Sequence, residues 1–237
     1  MPDWGGYREY VPVAERRKKA AAEVGRRARK GERIEPVAIA GRKIATTFWG
    51  KAWCDNLERY GDYANRLPRG RTYVRNGSVV NLQITAGRVD ATVSGSSLYT
   101  VVIMVDRVEE ARWKALSAEC SSGLASLVEL LAGQLSSGVM ERLCARGTGL
   151  FPLPKELQFR CSCPDYASMC KHVAATLYGV GARLDQRPEL LFELRHVDAS
   201  DLIAKASTAA VLDRAEGSAR VIADDDLGAI FGIDLDG

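Results

Sequence analysis

The chain has 237 residues, of which 46% are hydrophobic and 27% are charged, and its formal net charge is +3 at pH 7. These values are ordinary for a soluble globular protein with one large or two small domains. No run of eighteen apolar residues is present, and no apolar segment precedes a cleavage site near the N-terminus. We therefore predict neither a transmembrane helix nor a secretory signal, and we expect a reducing cytoplasm in which cysteines are metal ligands, catalysts or core residues.

Basic residues are concentrated at the N-terminal end of the chain. From Arg8 to Lys43 there are twelve Lys and Arg against five Asp and Glu. The segment from Ala14 to Arg33 could form a basic helix, but it has too few apolar residues to bury. We therefore predict a basic, flexible or partner-ordered arm over residues 1–43. Such an arm is attracted to nucleic acid phosphates, although a solvated arm without a partner has the same composition.

A first folded region is predicted over residues 44–150, and it begins with a short amphipathic helix in FWGKAWCDNLERY. A basic loop follows, and then strands. The Asn76–Gly77 pair predicts a hairpin turn, because a type I′ turn needs positive φ at both central positions. Ala86–Gly87 predicts a second turn. Residues that alternate as the buried face of an antiparallel meander are Val80, Leu82, Ile84, Val89, Ala91, Val93, Tyr99, Val101, Ile103 and Val105.

Apolar stripes at helical spacing follow the meander. They are Trp113, Leu116 and Cys120; Leu124, Leu127, Val128 and Leu131; and Val139, Met140, Leu143 and Cys144. The segment GTGLFPLP then interrupts the pattern, and its Gly and Pro residues predict a boundary at about residue 150. Cys54, Cys120 and Cys144 lie on or beside apolar stripes, which indicates core packing and not reactivity.

The stretch CSCPDYASMCKH, residues 161–172, holds three of the six cysteines and one of the two histidines. Cys161 and Cys163 end an apparent strand, where residues two apart point to the same side. Cys170 lies at the irregular start of an amphipathic helix, with His172 in its first turn. Sulfur and nitrogen donors without a carboxylate are typical of tetrahedral zinc. Four protein ligands leave no position for water, so we predict one structural Zn²⁺.

Two other interpretations of this cluster require motifs that the chain lacks. A redox dithiol normally has a C-x-x-C spacing beside a βαβ unit, and a zinc deaminase needs H-x-E with P-C-x-x-C. Three thiolates and one Zn²⁺ carry a net charge of −1, which the flanking Arg160 and Lys171 can offset. Because structural zinc contributes on the order of 10 kcal/mol to folding, chelation should unfold this segment.

The pattern C-x-C-x₆-C-x-H resembles the SWIM-type zinc finger, a ββα module found in Swi/Snf-type ATPases and MuDR transposases. FWGKAWCDNLE, RLPRGRTYVRNGSV, LYTVVI and PELLFELR also resemble segments of bacterial SWIM proteins, so the likeness covers roughly Thr47 to Ile203. One departure is Tyr166, where the bacterial proteins have Trp after C-P-D. By this resemblance the zinc ligands are Cys161, Cys163, Cys170 and His172.

The resemblance also implies a fold and a role. We predict an α+β protein in which an antiparallel β meander with helices precedes a ββα SWIM finger and trailing helices over residues 151–205. The implied partners are a Swi/Snf-type DNA-dependent ATPase and DNA, with no membrane, in the bacterial cytoplasm or nucleoid. His196 follows LFELR alone, which indicates a surface or capping histidine and not a ligand.

Basic residues near the finger are candidate phosphate contacts. They are Arg66, Arg69, Arg71 and Arg75 around the predicted first strand, with Arg160 and Lys171 beside the ligands. A solvated hairpin edge that opposes aggregation has the same pattern. Paired carboxylates, a nucleophile–base set and an open metal site are not evident. We therefore predict a binding protein and not an enzyme, with a pure protein–protein adapter and an undetected nuclease as alternatives.

Residues 206–237 are predicted as an acidic tail. From Asp213 to Gly237 there are seven acids and two arginines, interspersed with Leu227, Ile230, Phe231 and Ile233. These apolar residues could form a short helix that docks on a partner. Packing of the tail on the chain's own domain and a loose tail are equally open at this point.

Overall fold

The computed structural model describes residues 12–60, 65–120, 137–165 and 167–202. The helices are α1 Val13–Arg29, α2 Phe48–Glu58, α3 Leu67–Arg75, α4 Glu110–Cys120, α5 Ser137–Leu143, α6 Lys171–Leu184 and α7 Leu190–Leu194. The strands are β1 Val79–Thr85, β2 Arg88–Ser94, β3 Leu98–Val105 and β4 Leu157–Cys161, the last preceded by a 3₁₀ turn at Pro154–Glu156. The predicted stripe at residues 124–131 and the acidic tail lie outside the described residues. Within the described ranges, every helix is too short or too polar to cross a bilayer.

The sheet is a four-stranded antiparallel meander in the order β1-β2-β3-β4, which confirms the predicted α+β fold. Alternation along β2 and β3 buries the residues that the sequence indicates, and Val89 pairs with Ile103 in the register. In β1 the register shifts between Val79 and Asn81, so Val79 is buried and Val80 only half-buried. β4 belongs to the predicted finger region, yet it pairs with β3. The regions predicted as residues 44–150 and 151–205 therefore share one sheet and one core.

The segment predicted as a basic loop and first strand is instead the helix α3. Leu67, Gly70 and Val74 are its buried positions, at helical spacing. The Asn76–Gly77 pair ends this helix and does not form a hairpin turn. Gly77 has φ 68°, its N–H donates to the carbonyl of Val74, and the N–H of Ser78 donates to that of Tyr73. This is a Schellman motif, which needs the same positive-φ residue as a type I′ turn. The predicted turn at Ala86–Gly87 is confirmed, with φ 66° at Gly87.

Helix α6 lies at the centre of the fold. It is buried at almost every position, because it packs against the inner face of the sheet and against α2 and α3. The indole Nε1 of Trp53 in α2 donates to the carbonyl of Leu177, 2.9 Å away. A Cβ on Gly70 of α3 would lie 2.5 Å from the Cβ of Ala174. The absence of a side chain at Gly70 therefore allows α3 to lie directly on α6.

The N-terminal segment predicted as an arm contains a 17-residue helix, α1, that lies against β1 and β2. Ala20 is the buried residue of this contact. Polar contacts supply the rest: Arg17 donates to the carbonyl of Asn76 at 2.8 Å, and Arg27 donates to Thr92 at 3.5 Å. A basic helix with few apolar residues can thus be placed by one alanine and two arginines.

The start of β4 is fixed by a cluster of charges around Glu156. Its Oε1 accepts hydrogen bonds from Arg195, which is fully buried, at 3.0 Å and from Arg112 at 3.3 Å. Its Oε2 accepts the N–H of Leu153 at 2.7 Å. Burial alone would raise the pKa of Glu156, but these hydrogen bonds outweigh burial and the net pKa is lowered. The cluster ties the strand that leads to the metal ligands to α4 and to the residue after α7.

Asp185 joins the end of α6 to the loop before α2. Its carboxylate accepts four hydrogen bonds of 2.6–2.8 Å from the N–H and hydroxyl groups of Thr46 and Thr47. Burial alone would raise the pKa of Asp185, but the hydrogen bonds outweigh it and the net pKa lies below its usual value. The stability contributed by the ionised carboxylate is therefore present above about pH 4 and is lost as the pH falls through the lowered pKa.

Replacement of Asp185 by alanine is expected to lower the free energy of unfolding by about 2 kcal/mol at pH 7, because four donors lose a charged acceptor. Urea unfolding of the zinc-loaded protein measures the change. Asp106→Ala, which removes an exposed carboxylate, is the matched control and should leave the midpoint unchanged. Equal midpoints for both variants and the wild type would contradict this role for Asp185.

Candidate metal centre

The structure brings together the four residues that the sequence predicts as ligands. One donor atom from each of Cys161, Cys163, Cys170 and His172 lies within 4.8 Å of the others. Nδ1 of His172 is 3.8 Å from Sγ of Cys161 and 3.8 Å from Sγ of Cys170. A tetrahedral ion with bonds of about 2.3 Å to sulfur and 2.0 Å to nitrogen keeps its ligands about 3.5–3.8 Å apart. The cluster therefore has the size and the donor chemistry of a zinc site.

Local backbone structure explains how four sequence-adjacent residues converge. Cys161 is the last residue of β4, and Cys163 follows it on the same side of the chain. Cys170 is the N-cap of α6, with φ −87° and ψ 170°, and His172 lies in the first turn. An extended N-cap points the Cys170 side chain toward the strand end, as the sequence predicts.

The electrostatics of the site favour a bound cation. Hydrogen bonds from Cys161 and His172 lower the pKa of the Cys170 thiol, and the same contact with Cys170 raises the pKa of Cys161. Zinc would bind both sulfurs as thiolates. The dispersed cysteines differ: burial raises the pKa of Cys120 to about 11 and of Cys54 to about 12. They stay neutral thiols packed in or against the core, as predicted.

His172 is buried, at 2% exposure, between two tyrosine rings. Tyr99 of β3 stacks on the imidazole with ring centroids 4.3 Å apart, and Tyr73 of α3 meets it edge-on at 5.5 Å. Since Nδ1 faces the sulfurs, Nε2 points away, toward Gly95. A Cβ on Gly95 would lie 3.0 Å from Nε2 and 2.8 Å from the ring of Tyr99. These three neighbours hold the ring by packing, since Nε2 has no hydrogen-bond partner among the described residues.

Sequence reasoning missed Gly95, Tyr73 and Tyr99 as parts of the site. The alternation of β3 does place Tyr99 on the buried face, which is a usable signal. Tyr73 could have been found only by recognising α3 as a helix. The Gly95 turn has no sequence signal that links it to the metal ligands, because the contact is made through tertiary packing.

The finger differs in one respect from the ββα arrangement that the resemblance implies. Between β4 and α6, residues 162–165 and 167–170 contain no strand. The strand that pairs with β4 is β3, which precedes the finger by about fifty residues. Asp165, in the loop between the two ligand pairs, forms an ion pair with Arg66 at 3.3 Å. The ligand loop is thereby attached to the start of α3.

The six candidate phosphate contacts lie on or beside three elements, α3, β4 and α6. Four are on or beside α3: Arg69 and Arg75 are exposed, Arg66 is paired with Asp165, and Arg71 is paired with Glu58. Arg160 is exposed on β4, opposite Val102 of β3.

The last of the six, Lys171, lies with its Nζ 5.8 Å from the centroid of the Tyr73 ring. His196 is exposed and has φ 55°, in agreement with its predicted place outside the ligand set.

Comparison with known protein families agrees with this geometry. The model of the SWIM zinc finger matches residues 151–179, from the residues before β4 to the middle of α6. Residues 151–179 form a SWIM zinc finger. The donor set and the family together assign one structural zinc ion to the site.

The chain is also 35% identical over 179 residues to the uncharacterized protein Rv2102 of Mycobacterium tuberculosis. The aligned region covers 74% of this chain and 63% of that protein, so the chain spans less than two thirds of the relative's length. No solved structure matches the chain at a significant level.

Removal of zinc is expected to unfold the whole described fold and not only the SWIM finger, because two of the ligands belong to the central helix α6. Structural zinc contributes on the order of 10 kcal/mol, which is comparable to the total stability of most domains. Near-UV circular dichroism measured during titration with a chelator should show loss of tryptophan packing in parallel with metal release.

The matched variants for this experiment are Cys170→Ser and Cys144→Ser. The first should purify without stoichiometric zinc and without a cooperative unfolding transition, whereas the second should keep both. A metal-free protein with an unchanged near-UV spectrum would show that the SWIM finger folds separately from the core.

Gly95→Val is expected to weaken zinc retention, because a side chain at this position displaces the ring of Tyr99 and the imidazole of His172. Overpacking of this kind typically costs about 1–3 kcal/mol. Competition with a chromogenic chelator measures the affinity. Gly25→Ala is the control, since a Cβ there meets nothing within 4 Å. Equal zinc affinities in the two variants would contradict the proposed packing on His172.

Proposed function

We propose that the protein is a non-catalytic DNA-binding accessory factor, in which the SWIM finger holds a cationic surface beside the zinc. The observation that carries this proposal is the position of Tyr73. Its ring contacts His172 on one side and lies under the ammonium group of Lys171 at 5.8 Å. Arg69 is four residues earlier on α3, hence on the same face of the helix. We call Arg69, Tyr73 and Lys171 the Tyr73 surface.

Phosphate recognition is the chemistry that suits the Tyr73 surface. Arg69 is exposed, Lys171 and Tyr73 are half-buried, and neither cation has an ion-pair partner within the described ranges. A partly exposed ring beside Lys171 can contact a sugar or a base while Lys171 and Arg69 contact phosphates. Arg75 and Arg160 extend the positive charge along α3 and β4. Arg66 adds less to this surface, because it is half-buried and already paired with Asp165 at 3.3 Å.

A Swi/Snf-type DNA-dependent ATPase is the partner that we propose for this factor. The proposal is supported by the resemblance of the finger and its flanking segments to bacterial SWIM proteins. The relative from Mycobacterium tuberculosis is itself uncharacterized and adds no partner. With such a partner, the site of action is the bacterial cytoplasm or nucleoid.

The zinc itself supports binding and not catalysis. With four protein ligands, a zinc ion has no open position for a water molecule and cannot generate a metal-bound hydroxide. A nuclease activity would need a second centre elsewhere. Incubation of supercoiled plasmid with the protein and Mg²⁺ tests for it, and we expect no cleavage above that of a buffer control.

DNA affinity is expected to fall steeply as salt rises, because phosphate contacts release counterions. Fluorescence anisotropy with a labelled duplex gives the slope of log affinity against log salt, which decreases by about 0.9 for each contact removed. Arg69→Gln combined with Lys171→Gln should therefore reduce the slope by about 2. The control pair Lys114→Gln and Lys155→Gln, at exposed positions on α4 and before β4, should leave it unchanged.

Absence of binding to duplex and single-stranded DNA at low salt would contradict the proposal. The protein would then be a protein–protein adapter whose zinc only stabilises the fold. Zinc content and unfolding midpoint, measured on every variant, separate loss of a contact from loss of the fold.

A further inference from the structure

A second cationic site lies in a cleft of about 400 Å³ between the loop before α2, helices α2 and α3, and α6. We call it the α2–α3 cleft. Its charged lining residues are Lys43, Lys51, Asp55, Glu58, Arg71 and Arg75, and none of the zinc ligands contributes to it. We propose that the α2–α3 cleft binds a phosphate group of a nucleotide or of a nucleic acid backbone. This inference goes beyond the proposed function, because it does not depend on the Tyr73 surface.

The charges of the cleft favour an anion. Four of the lining side chains are cationic and two are acidic. One acid, Glu58, is already paired with Arg71. Lys43, Lys51 and Arg75 have no ion-pair partner in the part of the chain that the structure describes. The Asp55 carboxylate also lines the cleft, so its four cations and two acids leave an excess of two positive charges, which focuses a positive potential into the concave surface.

The floor of the cleft is a fixed network around Arg71. The guanidinium Nη2 donates to Glu58 and lies 3.3 Å from the hydroxyl of Tyr178, which in turn donates to Glu58 at 3.2 Å. The Arg71 Cζ is 5.7 Å from the centroid of the Tyr178 ring, and Tyr178 is fully buried. The guanidinium is therefore held in one orientation before a ligand arrives, which reduces the entropic cost of binding.

The loop that carries Lys43 is also held in place by hydrogen bonds, as Arg71 is. Thr46, three residues later, donates two hydrogen bonds to Asp185. On the opposite side, α3 packs on α6 through Gly70. The two walls of the cleft are thus attached to the same central helix, and the distance between them is set by the core.

The lining chemistry selects the ligand class. The two carboxylates of the lining are outnumbered by four Lys and Arg side chains, which favours phosphate oxygens over a divalent cation. Cys54 adds no negative charge, because burial raises the pKa of its thiol to about 12. The cleft has a volume of about 400 Å³, which is enough for a diphosphate or one nucleotide unit. This volume is in the usual range for small-molecule sites.

Pyrophosphate is the probe that tests the cleft itself. Calorimetry on the zinc-loaded full chain should detect binding to the wild type and at least a tenfold loss of affinity in Lys43→Gln combined with Lys51→Gln. Both lysines are exposed, so the variant should keep its zinc content and unfolding midpoint. The pair Lys114→Gln and Lys155→Gln changes the net charge equally and should bind pyrophosphate like the wild type.

Two further ligands distinguish the sources of phosphate. If the cleft variant binds ATP more weakly than the wild type does, but binds a twelve-nucleotide single strand equally well, the natural ligand of the cleft is a nucleotide. The reverse result assigns it to the nucleic acid backbone. Both results support the α2–α3 cleft and are independent of Arg69 and Lys171. The proposal is overturned if pyrophosphate, ATP and the oligonucleotide each bind the cleft variant and the control pair with the same affinity.

Discussion

Bonds from a single metal ion to the end of β4 and the start of α6 are the constraint on which this fold depends. Three sulfurs and one imidazole lie within 4.8 Å of one another in a half-buried site. Three thiolates at that separation repel one another strongly unless a cation lies between them. Zinc removes the repulsion and closes the ten-residue loop from Cys161 to Cys170, so the ion determines where the helix begins relative to the sheet edge.

The position of α6 in turn determines where α2 and α3 pack. Its buried face covers the sheet, and close contacts at Gly70 and at the Trp53 hydrogen bond bring α3 and α2 onto it. The Tyr73 surface is formed by side chains of α3 and α6, and the α2–α3 cleft by side chains of α2, α3, α6 and the loop before α2. A binding surface built in this way depends on zinc through the packing of the core, even where no ligand of the metal takes part.

The parts of the fold that the sequence predicts are those determined by local pattern. The spacing of Cys161, Cys163, Cys170 and His172 is sufficient to identify the metal centre, because the donors are adjacent in the chain. Alternation identifies β2 and β3, and the apolar stripes identify α2, α4 and α6. In each case the information lies in the spacing of residues of one chemical class that are close together in the sequence.

The parts that the sequence did not predict are determined by long-range contacts or by ambiguous local signals. The Asn76–Gly77 pair is compatible with a hairpin turn and with a helix end. Only the burial of Leu67, Gly70 and Val74 shows that it ends the helix α3. The pairing of β4 with β3 joins segments about fifty residues apart. Helix α1 is placed by Ala20, which no periodicity would single out. The residues around His172 were missed for the same reason, since Gly95 and Tyr99 contact it only after the sheet and α6 have packed.

X-ray absorption at the zinc edge of the purified protein tests the central claim most directly. The account predicts one zinc per chain, with three sulfur neighbours at about 2.3 Å and one nitrogen at about 2.0 Å. Absence of stoichiometric zinc, or a first shell that contains a water oxygen in place of one protein ligand, would contradict it.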